Sequence, residues 1–179
     1  MKTILDKTTD YSGISGIYFK QLLREIIKIG NLNNDNLKIL DFGCGQGVLK
    51  KLINTNNPKT KVINYDVKEE FTEVKDWRDQ EFDVVVSNEV FHSFRSDKLE
   101  KLLNDFKKKN PDLEIIAGIS KQSWLNNIGK IIFFEFDSHK FTILNPKEEM
   151  NILKKHLNII DHKSVWFLAD IYRFNFKKT

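Results

Sequence analysis

Asp41-Phe42-Gly43-Cys44-Gly45-Gln46-Gly47 sets an acid two residues ahead of three glycines at alternating positions. Glycines at such spacing let a backbone approach a ligand closely, and some can take positive φ. The apolar run Leu37 to Phe42 leads into the loop, and Val48, Leu49, Leu52 and Ile53 resume at helical spacing behind it. A strand that ends in glycines and opens a helix is a nucleotide-binding arrangement. The helix start offers free N–H groups and a favourable dipole. The dinucleotide fingerprint G-x-G-x-x-G, begun at Gly43 and Gly45, puts its third glycine on Val48. It therefore fails where helix and strand must pack closely. A second acid, Asp66, closes the run Val62-Ile63-Asn64-Tyr65-Asp66. It stands roughly 20 residues beyond the loop, where a carboxylate can take both hydroxyls of a ribose. Asp66 therefore fits a ribose without choosing among nucleoside cofactors.

The surrounding elements alternate. Leu22, Leu23, Ile26 and Ile27 share one face of a helix expected over residues 17–29, ended by Gly30 and an Asn-rich stretch. Strands are expected over 37–42, 61–66, 82–87 and 113–119, with a helix over 48–54. In the third strand, Val84-Val85-Val86 is too apolar for a half-exposed strand and suits one covered on both faces. A helix over 97–109 carries the stripe Leu99, Leu102, Leu103 and Phe106, and Asp97 with Glu100 resembles a capping box. Asn145-Pro146 introduces a helix over 147–156. Residues 157–163 and 170–176 alternate like paired antiparallel strands. This alternation predicts a doubly wound α/β domain with a mostly parallel sheet, helices on both faces and a C-terminal antiparallel strand pair.

The D-x-G-x-G-x-G loop, read as Ile39-Leu40-Asp41-Phe42-Gly43-Cys44-Gly45-Gln46-Gly47, resembles the first motif of the class I S-adenosylmethionine-dependent methyltransferases. The resemblance spans roughly residues 37–176 and implies a seven-stranded sheet. It also implies that Gly43, Gly45 and Gly47 pass beneath the methionine and ribose of the cofactor, and that Asp41 accepts from its amino group. Asp66 would take the ribose, with Tyr65 and Val67 flanking the adenine. Asp76 and Trp77 are candidates for capping and stacking that base. S-adenosylmethionine has an ammonium and a sulfonium but no phosphate, so a nearby carboxylate suits it. The acceptor side is expected at Ser87-Asn88-Glu89-Val90-Phe91-His92-Ser93-Phe94, at the carboxyl end of a buried strand. Asn88 is placed with the cofactor, and Glu89 and His92 are the catalytic candidates. His92 has a suitable intrinsic pKa for a general base, and a structural histidine is the rival reading. Relatives that methylate base amines carry an Asn-Pro-Pro-Tyr type motif. Glu89 and Val90 replace its prolines here, which counts against a nucleic-acid acceptor.

The whole chain, 1–179, is expected to be one domain, with 1–36 a helical cap and 120–146 a cover over the acceptor. The cover holds Trp124, Phe133, Phe134, Phe136 and Phe141, with Glu135, Asp137 and His139 among them. Such a cover suits a small, apolar acceptor of a methyl group on N, O or C. Tyr11 and Tyr18 are expected to close over the cofactor. No apolar run approaches the roughly 18 residues of a membrane span. A single cysteine, Cys44, rules out an intrachain disulfide and suits the cytoplasm. The four histidines lack metal-ligand spacing, and no metal is expected. The net charge of +4 keeps a nucleic-acid or protein acceptor open as an alternative. A non-catalytic cofactor-binding protein and an NAD-dependent oxidoreductase are the others. A monomer or homodimer is expected.

Overall fold

A computed structural model describes residues 13–121 and 142–178. Tyr11 and the aromatic and acidic residues expected to form the acceptor cover lie outside the described residues. The chain runs as α1 (Gly13–Ile29), β1 (Lys38–Phe42), α2 (Val48–Asn56), β2 (Lys61–Tyr65), β3 (Val84–Asn88), α3 (Ser96–Lys109), β4 (Glu114–Ser120), α4 (Pro146–His156), β5 (Leu157–Val165) and β6 (Ala169–Phe176). The strands form one sheet in the order β2-β1-β3-β4-β6-β5. β1 to β4 run parallel, and β6 is antiparallel to both β4 and β5.

The sheet among the described residues has six strands, not the seven that the resemblance implies. Residues 66–83, between β2 and β3, hold bends and a single 3-10 turn at Trp77–Asp79. They contribute no further strand, so β2 forms the edge.

Burial explains the continuous apolar strands. Leu40, Phe42 and Val85 face a core shared with α3 and α4. Ile39, Val84 and Val86 face a second core shared with α1 and α2. Adjacent residues of one strand thus enter opposite cores, so alternation of polar and apolar residues has no place there. β5 lies at the other edge, exposed along most of its length and with a register shift between Ile159 and Asp161. Such irregularity discourages pairing with another chain. Among the described residues no helix is long and apolar enough to cross a membrane.

One helix end sharpens the sequence expectation and another departs from it. α1 ends at Gly30 and the Asn-rich stretch, as expected, and within that stretch Asn31 makes the closure. Asn31 takes φ 47, its N–H donates to the Lys28 carbonyl, and the Leu32 N–H donates to the Ile27 carbonyl. That is a Schellman closure with asparagine in the left-handed position. The capping box is at α4, where Asn145 accepts from the Lys147 and Glu148 N–H groups and Glu148 reaches back to the Asn145 N–H. Asp97 and Glu100 form none, because Arg95 holds the N-cap position and Asp97 lies within the first turn; Glu100 pairs with Lys155 at 2.8 Å.

Phe106 ties α3 to the floor beneath the site. Its ring lies 5.6 Å from Phe42, 4.6 Å from Trp77 and 6.3 Å from Phe82. Phe106→Ala should therefore cost about 3–5 kcal/mol of stability. Urea unfolding measures this, and a loss below about 1 kcal/mol would contradict the packing described.

Candidate active site

The chain leaves β1 for β2 on one side and then crosses back to β3 on the other. The carboxyl ends of β1 and β3 therefore border the switch point, where an open α/β sheet receives ligands. Two segments flank it, the glycine loop after β1 and the turn from Asn88 to Phe94 after β3.

The loop is tied to the end of β2. The Gly43 and Cys44 N–H groups both donate to the Tyr65 carbonyl, at 2.8 and 3.2 Å. The Gly45 N–H donates to Asp66 Oδ2 at 3.0 Å, and Asp66 Oδ1 accepts from the Lys68 N–H at 3.0 Å. Gly43, Gly45 and Gly47 all have positive φ, at 80°, 50° and 67°. Their surroundings differ. A Cβ on Gly43 would lie 2.3 Å from Val90 Cγ2, and one on Gly47 would lie 2.6 Å from Asn64 Nδ2. A Cβ on Gly45 would meet nothing within 4 Å. Gly43 and Gly47 thus seat the loop on the protein, while Gly45 presents bare backbone to open space.

Asp41 lies beneath this loop and is 5% exposed. Its Oδ2 is buried without a hydrogen-bond partner among the described residues. Burial, and then the charges of Asp66 and Glu73, push its pKa up to about 7. A buried acceptor left unpaired costs about 1–3 kcal/mol, and more when charged. A ligand carrying a cationic donor removes that cost, whereas a phosphate would add repulsion. Glu73 is itself held by Lys50 Nζ at 2.7 Å and by the Asn64 N–H at 3.1 Å. Cys44 packs under the loop with its thiol pushed up to about 12, chiefly by burial.

On the adenine side, Val67 stands 90% exposed beside Asp66, and Tyr65 stacks on Phe42 at 5.3 Å. Trp77 behaves differently from expectation. Trp77 is 2% exposed. Its ring is enclosed by Phe42, Phe82 and Phe106, with the Arg78 guanidinium over it at 4.6 Å. No face is left for a base to stack on. Asp76 caps the 3-10 turn, accepting from the Arg78 N–H at 2.9 Å and from Arg78 Nη1 at 3.1 Å. These contacts hold its carboxyl below the usual range, led by the backbone bond from Arg78. Both residues therefore have structural work in the fold.

On the acceptor side, Asn88 ends β3 opposite Gly118 of β4, and its Oδ1 is buried without a partner among the described residues. Glu89 follows in the left-handed region, at φ 57. Its N–H donates to the Gly118 carbonyl at 3.0 Å. Its Oε2 accepts from the Ser120 hydroxyl at 2.7 Å and lies 3.9 Å from His92 Nδ1. Its Oε1 is buried and unpaired among the described residues. Burial pushes Glu89 up to about 7, against the lowering effect of Ser120. The His92 carbonyl accepts from the Ile143 and Leu144 N–H groups, both at 2.9 Å, which docks the approach to α4 on this turn. The structure thus brings Glu89 and His92 together at the carboxyl end of β3.

Sequence reasoning missed Glu149 of α4, which is 2% exposed. Burial, and then the charge of Glu89, push it up to about 8. Its spacing was the available signal, since Glu149 shares the buried side of α4 with Leu153 one turn on. Tyr18 of α1 is also buried and feels the charge of Glu89, which together with burial raises its phenol.

These features define a nucleoside-binding α/β domain whose loop suits a cationic ligand without phosphate. A family model described as a methyltransferase domain matches residues 15–114. The chain belongs to that family and is a methyltransferase. It matches no curated protein. Among solved structures it resembles the PH0226 protein from Pyrococcus horikoshii OT3, with a TM-score of 0.72, 13% identity and 97% of each chain covered. The N-methyltransferase NodS from Bradyrhizobium japonicum WM9, in complex with S-adenosylhomocysteine, gives a TM-score of 0.63 at 12% identity, covering 96% of this chain and 91% of that one. Magnesium protoporphyrin IX methyltransferase from Synechocystis PCC 6803, with bound S-adenosylhomocysteine, gives 0.59 at 14% identity, covering 87% and 80%. At these identities the likeness is one of fold.

The separate roles of the glycines can be checked. Gly45→Ala should lower stability by only about 1–2 kcal/mol, the cost of a left-handed non-glycine residue. It should nevertheless weaken S-adenosylhomocysteine binding at least about tenfold, because the methyl enters the open space. Undiminished affinity by calorimetry would show that the ligand does not pass over Gly45.

Proposed function

We propose that this protein transfers a methyl group from S-adenosylmethionine to a nucleophilic atom of a small molecule. One observation carries the reading. A buried carboxylate oxygen of Asp41, without a partner among the described residues, lies beneath a loop whose middle glycine faces open space. S-adenosylmethionine fits this arrangement, since its ammonium can pair with Asp41 and it has no phosphate for that carboxylate to repel. Asp66 keeps acceptor capacity for ribose hydroxyls, because each carboxylate oxygen can take two donors and each already takes one backbone N–H. Val67 offers an apolar surface to the adenine. Asn88 stands between the cofactor side and the acceptor side.

When bound, the cofactor supplies an electrophilic methyl group, which an acceptor lone pair takes while the electrons of the broken C–S bond remain on sulfur. The protein's own contribution is mostly placement. Holding the reacting atoms close and aligned can account for much of such a rate. Glu89 and His92 orient the acceptor at the end of β3 and accept its proton where one must leave. The neighbours named for small-molecule substrates, magnesium protoporphyrin IX among them, support a small acceptor. The cytoplasm suits a chain with one buried, unreactive thiol.

Calorimetry with S-adenosylmethionine, S-adenosylhomocysteine and NAD tests the reading. Heat is expected from the two sulfur ligands and none from NAD. Silence from both sulfur ligands at concentrations well above micromolar would overturn it.

The raised pKa of Asp41 adds a pH dependence with a definite sign. Its folded value of about 7 lies above the ordinary 3.8. The folded apo-protein therefore holds this proton more tightly than the unfolded chain, and Asp41 erodes apo stability as pH rises through that interval. Ligand binding runs the other way, since an ammonium needs the ionised form. Affinity for S-adenosylhomocysteine should rise roughly tenfold between about pH 6 and about pH 8, following the ionised fraction. Asp41→Asn should bind more weakly and lose this slope. A slope that survives the substitution would assign it to another group.

A further inference from the structure

Glu89 and Glu149 reach the acceptor side from different elements, Glu89 from the turn after β3 and Glu149 from the first turns of α4. Glu149 is withdrawn from water, and Glu89 is half-buried with one oxygen withdrawn. Glu149 is 2% exposed, and no hydrogen bond or ion pair from a described residue reaches its carboxylate. Glu89 has one oxygen satisfied by Ser120 and the other buried and unpaired among the described residues. The other groups facing the pair are the Tyr18 phenol from α1 and the His92 imidazole. Lys121 follows Ser120 along the chain but is committed elsewhere, to Asp170 at 2.8 Å and to the Ser164 hydroxyl at 2.9 Å. Nothing described among these groups supplies a fixed positive charge.

The turn and α4 are joined where the His92 carbonyl takes the Ile143 and Leu144 N–H groups, and the charge of Glu89 raises Glu149; two carboxylates so placed are unstable as a pair unless a cation or a proton joins them. A fold stabilised only by its own packing would place leucine or methionine at 149, as at Leu153 on the same buried side of the helix. From this arrangement we infer that the methyl acceptor is a small amine, received as its ammonium between Glu89 and Glu149. The inference rests on the methyltransferase reading and narrows its substrate class.

An ammonium has no lone pair, so the bound amine must first give up one proton. Glu89 is placed to take it. Its carboxylate is fixed by Ser120 and remains partly open to solvent, with 21% of its side chain exposed. The proton passes from nitrogen to Glu89 and from Glu89 to water, leaving the nitrogen pair free to form the N–C bond. Glu149, almost wholly buried, stays as the counter-charge. An alcohol of the same shape would bring no charge to the pair and would leave both carboxyls protonated.

Matched pairs of ligands separate these cases. Benzylamine, 2-phenylethylamine and cyclohexylmethylamine would be titrated against benzyl alcohol, 2-phenylethanol and cyclohexylmethanol, with the protein saturated in S-adenosylhomocysteine. At least one amine should bind about tenfold more tightly than its alcohol. At about pH 7, titrations in buffers of different ionisation heat should show protons released as that amine binds, because the two carboxyls give up protons to meet the cation. Glu149→Gln and Glu89→Gln should each remove most of the amine preference while S-adenosylhomocysteine affinity stays within about twofold. Alcohols binding as well as every amine, or amine binding without proton release, would overturn the inference even if neither variant folds. An amine preference intact in folded Glu149→Gln would do the same. The saturation step keeps the two claims apart. Absent S-adenosylhomocysteine heat defeats the methyltransferase reading itself, whereas normal heat with no amine preference defeats only the choice of acceptor.

Discussion

The burial of Asp41 at the end of β1 is the constraint around which the site is organised. A carboxylate 5% exposed, with one oxygen unpaired among the described residues, is a cost that packing alone does not explain. The surrounding residues increase that cost, since Asp66 and Glu73 add negative charge nearby. Gly43 closes down on Val90 and Gly47 on Asn64, so the loop cannot lift away to hydrate the carboxylate without losing those contacts. The buried carboxylate and its acidic neighbours raise the energy of the ligand-free loop, and a positively charged ligand relieves both. The strand order supplies the place, because only between β1 and β3 do the connections depart in opposite directions.

Much of this was readable from residue order. The parallel strands declare themselves as runs such as Val84-Val85-Val86, because a strand buried on both faces needs apolar residues at every position. The loop declares itself because glycine spacing records where a Cβ is intolerable. What stayed hidden had physical causes too. A seventh strand was implied by family likeness rather than by any residues, and residues 66–83 form turns instead. Trp77 looked available for stacking because sequence shows an aromatic near the site but not which way its ring is turned. Its place is in the core against Phe106, with Arg78 closing its outer face. Glu149 was missed because one glutamate near a helix start reads as a favourable dipole partner. Only burial shows that it faces inward.

The turn after β3 repeats the electrostatic logic of the glycine loop. Glu89 is forced into a left-handed turn at φ 57, and its backbone N–H is used on the Gly118 carbonyl. Backbone strain of this kind persists where neighbouring structure over-determines it. Here the neighbours are β4, which supplies the Gly118 carbonyl and the Ser120 hydroxyl, and the approach to α4, which hangs on the His92 carbonyl. The turn after β3 is therefore fixed from both sides, and the Glu89 carboxylate is aimed by backbone rather than by a free rotamer.

The basic net charge of the chain acquires a different meaning once charges are placed on the fold. Helices that connect parallel strands run against them, so their C-termini lie at the end of the sheet opposite the crevice. Lys107, Lys108 and Lys109 close α3, and Lys154 and Lys155 close α4. They sit where cations favour a helix C-terminus. Several are occupied locally, Lys107 on the Lys177 carbonyl, Lys109 on the Arg78 carbonyl and Lys155 on Glu100. The crevice end carries Asp41, Asp66, Glu73, Glu89 and Glu149. The five lysines that close α3 and α4 and these carboxylates are therefore at opposite ends of the sheet, so those lysines serve the helix termini and not the crevice.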